Sequence, residues 1–260
     1  MQDRVKQIDG AVNLRDFGGY ATAEGYVQRD KLFRCGTLHY LTEAGQAQFH
    51  DLGVELICDL RRAEEKAGEP TNLPPENPRR LEIPLDPGSA VELRTRMADT
   101  QVNLEDRINF MIGMTHELVR DHADDYARMF AELMDLEDGG FLVHCSAGKD
   151  RTGVACALIL HALGVPQQTV VEDYLLTNEA TDYEGFVFPL ILDKYEAGQP
   201  PDRATIMALA GVRPEYIASA YAAIAADFDS VEHYIRDALK LSAADLANLR
   251  QRYVTNAAVA

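Results

Sequence analysis

The feature that most constrains this chain is a short polar loop placed between two apolar segments. Residues 141–143 are typical of a buried strand, and residues 154–160 form an apolar run typical of a buried helix. A loop between a buried strand and a helix N-terminus directs backbone N–H groups and the positive end of the helix dipole at one point. The loop over residues 144–153 is therefore predicted to bind an anion, and a cysteine stands near its start.

Within this loop, Cys145 and Arg151 enclose five residues, which lets the loop close around a group the size of one phosphate. Inward N–H groups and the helix dipole favour the thiolate of Cys145, which is the nucleophilic form. Arg151 offers a planar pair of donors to two phosphate oxygens. Gly148 permits a positive φ and removes a side chain where the backbone approaches a ligand. The pattern therefore predicts nucleophilic attack on phosphorus.

Three other side chains of the loop have predicted supporting functions. Thr152 is predicted to donate its hydroxyl to the sulfur and so help the thiolate leave in a second step. His144 is predicted to fix the loop through hydrogen bonds, and Lys149 adds a second cation. Because the loop amides and an arginine supply positive charge, no metal is required. The predicted phosphate-binding residues are Ser146, Ala147, Gly148, Lys149, Asp150 and Arg151.

The pattern His144-Cys145, five residues, Arg151-Thr152 resembles the signature loop of the cysteine-dependent protein tyrosine phosphatase superfamily. Its interior, Gly-Lys-Asp-Arg, is similar to that of the atypical bacterial branch, whose members act on phosphotyrosine, often on other phosphoresidues, and in some cases on phosphoinositides. The stretches 13–19, 33–36 and 59–61, the last together with Glu65, are similar to that branch as well. The resemblance implies that this chain is a protein tyrosine phosphatase, with dual specificity as the broader form of that function. It also implies a phosphocysteine intermediate and no cofactor.

A loop of this kind can have other functions. A nucleotide-binding loop of the Walker type needs glycine five residues before the Gly-Lys pair and Ser or Thr after the lysine. Val143 and Asp150 occupy those positions, so that interpretation fails. A phosphoinositide or inositol-phosphate phosphatase on the same loop is one alternative. A phosphate-binding module without catalysis is the other, although the loop lacks none of the catalytic residues.

The proton for the leaving group can come from either of two aspartates. Asp150 lies inside the loop and is implied by the resemblance, yet Lys149 and Arg151 on either side should lower its pKa. A bound phosphate dianion would act in the opposite direction. Asp86 follows the predicted strand 81–85, and the superfamily carries its general acid on a mobile loop after the equivalent strand. Asp86 is therefore the second candidate.

Outside the loop, the sequence predicts one α/β domain over residues 1–260, with a central, mostly parallel sheet flanked by helices. Part of the segment 89–122 is predicted to be a helical lid with Phe110, Met111 and Met114 on its underside, and ordinary core packing explains these residues equally well. Residues 180–202 are predicted to be irregular. Besides the strand at 141–143 and the helix after the loop, the predicted strands cover 54–60 and 81–85, and the other predicted helices cover 42–52, 90–100, 104–122, 124–135, 166–178, 214–227, 230–241 and 242–253.

Charged residues beside the predicted strands are interpreted mainly as structural. Arg15 and Asp16 are predicted to form a buried ion pair that braces the sheet. Arg61 stands at the strand end where α/β sheets gather ligands. Its predicted partner is Asp59 or Glu65, and a direct contact with phosphate is the alternative.

Composition limits the partners of the chain. The net charge of −17 argues against a general nucleic-acid binder and against adhesion to anionic membranes. The sequence has no signal-like N-terminal run and no apolar segment of membrane-spanning length, so a cytoplasmic protein is predicted, with export by an unrecognised route as the alternative. The expected partner is a phosphorylated protein or a phosphoinositide, and the oligomeric state is left open.

The four cysteines show no metal-ligand spacing, which fits a reducing compartment. Cys58 and Cys156 lie in apolar runs and are predicted to be core thiols. A disulfide from Cys145 to Cys35 or to Cys58, which would shield the nucleophile, is the alternative.

Overall fold

Two sheets are formed by the residues that the computed structural model describes, namely 4–74, 78–88, 103–192 and 202–256. Their strands are β1 (Arg15–Asp16), β2 (Ala21–Thr22), β3 (Gly25–Val27), β4 (Leu32–Cys35), β5 (Val54–Asp59), β6 (Arg79–Glu82), β7 (Gly140–His144) and β8 (Val254–Thr255). The larger sheet has the order β1-β4-β7-β5-β6, and β2-β3-β8 form the smaller one. In the larger sheet β1 is antiparallel to β4 and the other pairs are parallel. This arrangement confirms the predicted, mostly parallel sheet.

The strand that leads into the loop, β7, is central and buried along its whole length. Successive residues of the parallel strands alternate between two hydrophobic clusters, one on each face of the sheet. Cys58 and Val143 belong to the larger cluster, whereas Ile57 and Leu142 belong to the smaller one. Both faces of the sheet are therefore covered, and the functional groups are left to the strand ends.

Helices pack around the larger cluster. They are α1 (Glu43–His50), α2 (Ala63–Gly68), α3 (Leu104–Asp121), α4 (Ala123–Asp135), α5 (Asp150–Ala162), α6 (Gln167–Leu175), α7 (Thr177–Ala180), a π-helix (Tyr183–Val187), α8 (Phe188–Leu192), α9 (Arg203–Ala210), α10 (Pro214–Phe228), α11 (Val231–Asp237) and α12 (Ala243–Tyr253). Among these residues, no helix combines the length and the apolar character that crossing a bilayer requires.

Two helix starts follow directly from capping chemistry. The hydroxyl of Thr42 accepts a hydrogen bond from the backbone N–H of Gly45 and caps α1. At α12, Ser242 and Asp245 bond to each other's backbone N–H groups and form the predicted capping box. The apolar run after the loop forms α5, which is buried nearly all round, as predicted.

The predicted lid is only partly within the described residues. Its first part, 89–102, lies outside them, whereas 104–121 forms α3. Met111 is buried in the larger cluster, and Phe110 and Met114 pack against it. For these three residues core packing therefore explains the apolar face better than a lid underside does.

Two predicted segments differ from the structure. The prediction that 180–202 is irregular was wrong for 183–192, where a π-helix continues into α8. The predicted strand 81–85 begins two residues earlier and ends at Glu82, because Pro84 has no N–H for the ladder. Beyond that point Leu85 still donates a backbone hydrogen bond to the Leu60 carbonyl at 3.2 Å, which holds the segment at the sheet edge.

Candidate active site

The candidate site lies where β7 ends and α5 begins, at the carboxyl edge of the parallel strands. Cys145 follows the last residue of β7, and α5 starts at Asp150. Ligands of open α/β sheets gather at this edge, and the N-terminus of α5 faces it with its positive dipole end. Cys145 is a free thiol with 2% of its surface exposed. The predicted nucleophile is thus covered from solvent in this conformation.

The loop carbonyls are drawn to the outside of the loop by donors from β4 and the segment before β1. The side-chain amide of Asn13 donates to the carbonyls of Ala147 (3.2 Å) and Gly148 (3.0 Å). The guanidinium of Arg34 donates to the Gly148 carbonyl as well, at 3.0 Å. In a trans peptide the N–H points opposite to the carbonyl. The N–H groups that follow these carbonyls therefore point away from Asn13 and Arg34, as an anion-binding loop requires.

Gly148 occupies a backbone conformation that other residues rarely adopt. Its φ is +67°, and a Cβ at this position would lie 2.3 Å from the carbonyl oxygen of Cys35. Both observations demand glycine, because a side chain would be strained and would collide with backbone. The loop is packed directly against the end of β4.

Arg151 is held in place by a carboxylate that the sequence did not assign to it. Its guanidinium donates to both oxygens of Glu65, at 2.7 and 2.8 Å, and to the Leu60 carbonyl at 3.2 Å. The same carboxylate accepts from the hydroxyl of Ser146 at 2.8 Å. Burial would lower the pKa of Arg151, but Cys145 and Glu65 raise it above its ordinary value.

The pKa of Glu65 is affected in the opposite direction. Burial alone would raise it, but hydrogen bonds and the charge of Arg151, with a contribution from Arg62, bring it well below its ordinary range. Glu65 is therefore ionised and fixes the direction of the guanidinium. The sequence signal for Glu65 is its resemblance to the family, from which the sequence predicts a partner for Arg61 and not for Arg151.

Arg61 binds Asp59, the first of its two predicted partners. Three hydrogen bonds of 2.8–3.2 Å join its side chain to the carboxylate, and both residues are buried. Arg61 also donates to the hydroxyls of Thr37 and Thr71. These contacts account for its guanidinium without substrate. His144 lies next to this pair, with its Nδ1 3.3 Å from the Cys145 carbonyl.

Asp150 is buried, and its environment differs from the one expected from sequence. Burial raises the pKa of Asp150 above its ordinary value, and it outweighs the cations Lys149 and Arg151, which lower it. The expected dominance of the flanking cations was therefore wrong. One oxygen of Asp150 lies 3.4 Å from the Lys149 ammonium, and the other has no hydrogen-bond partner among the residues described. A buried carboxyl of this kind can hold a proton for transfer.

The ammonium of Lys149 is bound by the end of α9. It donates to the carbonyls of Leu209 and Gly211, the latter at 3.0 Å. Carbonyls at a helix C-terminus carry partial negative charge and commonly bind cations. A contact of Lys149 with phosphate stays a prediction.

Asp86 lies at the rim of the site and is about half exposed. Its carboxylate is 3.4 Å from Arg62, whose Nε donates to Glu65 at 3.0 Å. The carbonyl of the preceding residue, Leu85, accepts a 3.4 Å hydrogen bond from Arg151. Asp86 is therefore connected to the loop arginine through Arg62 and Glu65.

Thr152 does not make the predicted bond to sulfur in this conformation. Its hydroxyl is buried and has no hydrogen-bond partner in the described part of the chain. Such a group is costly unless a partner forms at another stage. All four cysteines are free thiols, so the alternative of a shielding disulfide is not realised here.

The predicted Arg15–Asp16 ion pair was wrong. Successive strand residues point to opposite faces, so the two buried side chains have different partners. Asp16 accepts from the backbone N–H groups of Gly18 and Asp30, whereas Arg15 donates to the Thr177 hydroxyl at 3.0 Å.

The carboxylate that sequence reasoning missed here is Asp173 on α6. It binds Arg34 at 2.9 Å, and so connects the helix to the arginine that holds the loop carbonyl of Gly148. Both side chains are buried, with exposures of 0% and 2%. The pair anchors the underside of the loop.

Together, a buried cysteine at the start of an anion-binding loop and an arginine fixed at its other end define the class of cysteine-dependent phosphatases. Comparisons with known proteins agree. The profile of the "Tyrosine phosphatase family" matches residues 6–255. A protein of Cupriavidus necator that is named, provisionally, as a tyrosine-protein phosphatase is 32% identical over 253 residues, covering 95% of this chain and 87% of that protein.

A second relative is the triple specificity protein phosphatase PtpB of Mycobacterium tuberculosis, 29% identical over 266 residues, with 90% of this chain and 94% of that protein covered. Among solved structures, TpbA of P. aeruginosa is similar at a TM-score of 0.32 and 15% identity, covering 78% of this chain and 97% of that one. The family profile and the first relative carry the assignment. The chain belongs to the tyrosine phosphatase family and is a phosphoric monoester hydrolase.

Proposed function

We propose that this phosphatase hydrolyses phosphotyrosine in proteins, with dual specificity as the broader form, through a phosphocysteine intermediate on Cys145. The observation that supports this best is the joint geometry of the loop. Asn13 and Arg34 donate hydrogen bonds to its carbonyls, which point away from the loop interior, and two hydrogen bonds to Glu65 orient the Arg151 guanidinium. Such preorganised donors stabilise charge that develops on a transferring phosphoryl group.

The reaction proceeds in two displacements. The thiolate of Cys145 attacks phosphorus, the bond from phosphorus to the tyrosine oxygen breaks, and that oxygen takes a proton from the acid. Water then attacks the phosphocysteine and gives a proton back to the same group, while the S–P bond breaks and the thiolate leaves. In the second step the unpartnered hydroxyl of Thr152 donates to the departing sulfur. Phosphate leaves and the starting state returns.

Asp150 is the better candidate for the acid. Its carboxyl is buried, that burial raises its pKa above the ordinary value, and one of its oxygens has no hydrogen-bond partner among the described residues. Asp86 is exposed to solvent and paired with Arg62. Asp86 acts as the alternative if the segment around it closes on bound substrate.

The acid is tested by comparing Asp150→Asn with Asp86→Asn on substrates with good and poor leaving groups. The true acid loses far more rate on the poor leaving group, by roughly 10²–10⁴-fold. If Asp150→Asn lost equal rate on both substrates, Asp150 would not be the general acid. A larger loss on the poor leaving group in Asp86→Asn would then identify Asp86 as the acid, and equal losses would exclude it.

Substrate has to displace part of the covering structure to reach the sulfur. Cys145 and Asp150 are almost fully buried, and the end of α9 binds Lys149 directly beside them. Opening this contact also frees the ammonium for the phosphate, as the sequence predicts for Lys149.

A cytoplasmic location stays a prediction.

The substrate class is tested by assaying a phosphotyrosine peptide, a phosphothreonine peptide and a phosphoinositide side by side. We expect phosphate release from the phosphotyrosine peptide at the highest kcat/KM. A preference for the phosphoinositide would establish the alternative phosphatase, and binding of all three without release would establish a phosphate-binding module. Cys145→Ser is the control, and it abolishes release while substrate still binds.

A further inference from the structure

A cavity of about 880 Å³ lies between the N-terminal segment 4–15 and the segment 176–186, which contains α7 and part of the π-helix. None of the loop residues 144–153 belongs to its wall, so the cavity is separate from the candidate active site. A cavity of this size accommodates a small organic molecule. It is therefore large enough for a ligand of its own.

Arg15 belongs to the wall of this cavity, and its guanidinium has no anionic partner. The side chain donates to the Asn13 side chain, to the Thr177 hydroxyl at 3.0 Å and to the main-chain carbonyl of Asp173 at 3.2 Å. All of these acceptors are neutral. The carboxylate of Asp173 is bound by Arg34, and the Nε of Arg15 has no hydrogen-bond partner among the residues that the structure describes.

A buried charge without a counter-charge is unusual, because burial removes the water that would otherwise stabilise it. Arg15 is 0% exposed. Burial, and after it the charge of Arg34, lower the pKa of Arg15 to about 10, so the guanidinium is still charged at neutral pH. A water molecule could accept a hydrogen bond from Nε, but it would not compensate the charge. An anion in the cavity would do both.

The charged side chains around the cavity are also positive in sum. Arg4, Lys6 and Arg15 supply three positive charges, whereas Glu179 and Asp182 supply two negative charges. The wall thus carries a net charge of +1 in a chain whose net charge is −17. A local excess of one positive charge favours a monoanion, such as a carboxylate, over a cation.

Uncharged residues complete the wall. The hydroxyl of Thr181 is buried and has no hydrogen-bond partner in the described part of the chain. Val12, Leu176 and Phe186 add apolar surface. A ligand that fits this wall therefore combines one anionic group with an apolar part, and offers a hydrogen-bonding atom to Thr181.

We propose that this cavity is a second ligand site, which binds a small carboxylate with an apolar body. The carboxylate compensates the charge of Arg15, and the apolar body packs against Leu176 and Phe186. Because binding at this place involves neither Cys145 nor the rest of its loop, the site exists whether or not the proposed function is right.

The first test compares phenylacetate with phenylacetamide, a neutral analogue of nearly the same shape, by NMR titration of the wild-type protein. We expect phenylacetate to bind about 10-fold more tightly, because only the carboxylate compensates the buried guanidinium. It should also shift the Nε–H signal of Arg15, which is assigned by its loss in Arg15→Met. Equal affinities for the two probes, or no binding of either, would overturn the proposal.

The second test locates the probe without changing Arg15. Ala180 lines the cavity at the end of α7, so the ring added in Ala180→Phe should occupy part of the space. We expect the affinity for phenylacetate to fall by about 10-fold or more, because the ring and the ligand cannot share the same volume. Ala244→Phe, at an exposed position of α12, is the matched control and should bind phenylacetate as the wild type does.

Wild-type affinity in a folded Ala180→Phe protein would mean that phenylacetate binds elsewhere, the catalytic loop included, and would contradict the proposal. Neither titration involves turnover. A failure of the cavity as a ligand site is therefore distinguishable from a failure of the phosphatase function.

Discussion

Replacing Glu65 by Gln tests whether catalysis depends on the orientation that Glu65 imposes on the Arg151 guanidinium. The wild-type carboxylate binds the guanidinium through two hydrogen bonds of 2.7 and 2.8 Å and also accepts from Ser146. Gln keeps the length of the side chain but offers one acceptor and no charge, so one charge-assisted bond is lost. Hydrogen bonds to charged groups contribute about 1.5–3 kcal/mol. We take about 2 kcal/mol as the loss, which corresponds to a roughly 30-fold lower kcat/KM.

The assay is steady-state hydrolysis of a phosphotyrosine peptide, with the far-UV CD spectrum and the urea midpoint as checks of folding. Glu64→Gln, an exposed position on the same helix, is the matched control and should retain wild-type kcat/KM. If folded Glu65→Gln stayed within about twofold of the wild type, the guanidinium would not depend on this carboxylate. The account of the loop geometry would then be wrong at its main contact.

Three further predictions concern stability, measured as the free energy of unfolding in urea. Gly148→Ala should lower the free energy of unfolding by about 3 kcal/mol, because the residue has a positive φ and the added Cβ would lie 2.3 Å from a backbone oxygen. Gly113 lies within α3, and a Cβ added there would contact nothing within 4 Å. Gly113→Ala should therefore raise the free energy of unfolding by about 0.5–1 kcal/mol. Arg34→Met should cost about 3–5 kcal/mol, because it leaves Asp173 buried without its cation. Because the pKa of Glu65 is lowered in the folded protein, its contribution to stability is present above its unfolded pKa of about 4.3 and is lost as the pH falls. Glu65→Gln should therefore reduce the fall in the free energy of unfolding at acid pH. An unchanged dependence on pH would contradict this.

Local chemistry explains which parts of the fold the sequence could predict. The loop between β7 and α5, the cap at Thr42 and the capping box at Ser242 all depend on residues within a few positions of each other. The residue types at these places were enough to predict the local structure, although distant side chains also hold the loop carbonyls. The assignment of Cys145 and Arg151 to one loop followed in the same way.

Contacts between distant segments could not be predicted from local pattern. The carboxylate that holds Arg151 comes from 86 residues away in sequence, and the one that holds Arg34 from 139 residues away. Several acids near Glu65 are equally plausible partners until the strands are placed. The raised pKa of Asp150 was missed for the same reason, because burial by tertiary structure outweighs the charges of its sequence neighbours.

The most direct test of the central claim is to look for the phosphocysteine. Wild-type enzyme is mixed with a phosphotyrosine substrate, quenched in acid within the first turnover, digested, and analysed by mass spectrometry. We predict one phosphoryl group on the peptide that contains Cys145, and none in Cys145→Ser, which also releases no phosphate. Phosphate release without any phosphoryl-cysteine in the quenched samples, or turnover by Cys145→Ser, would contradict the account.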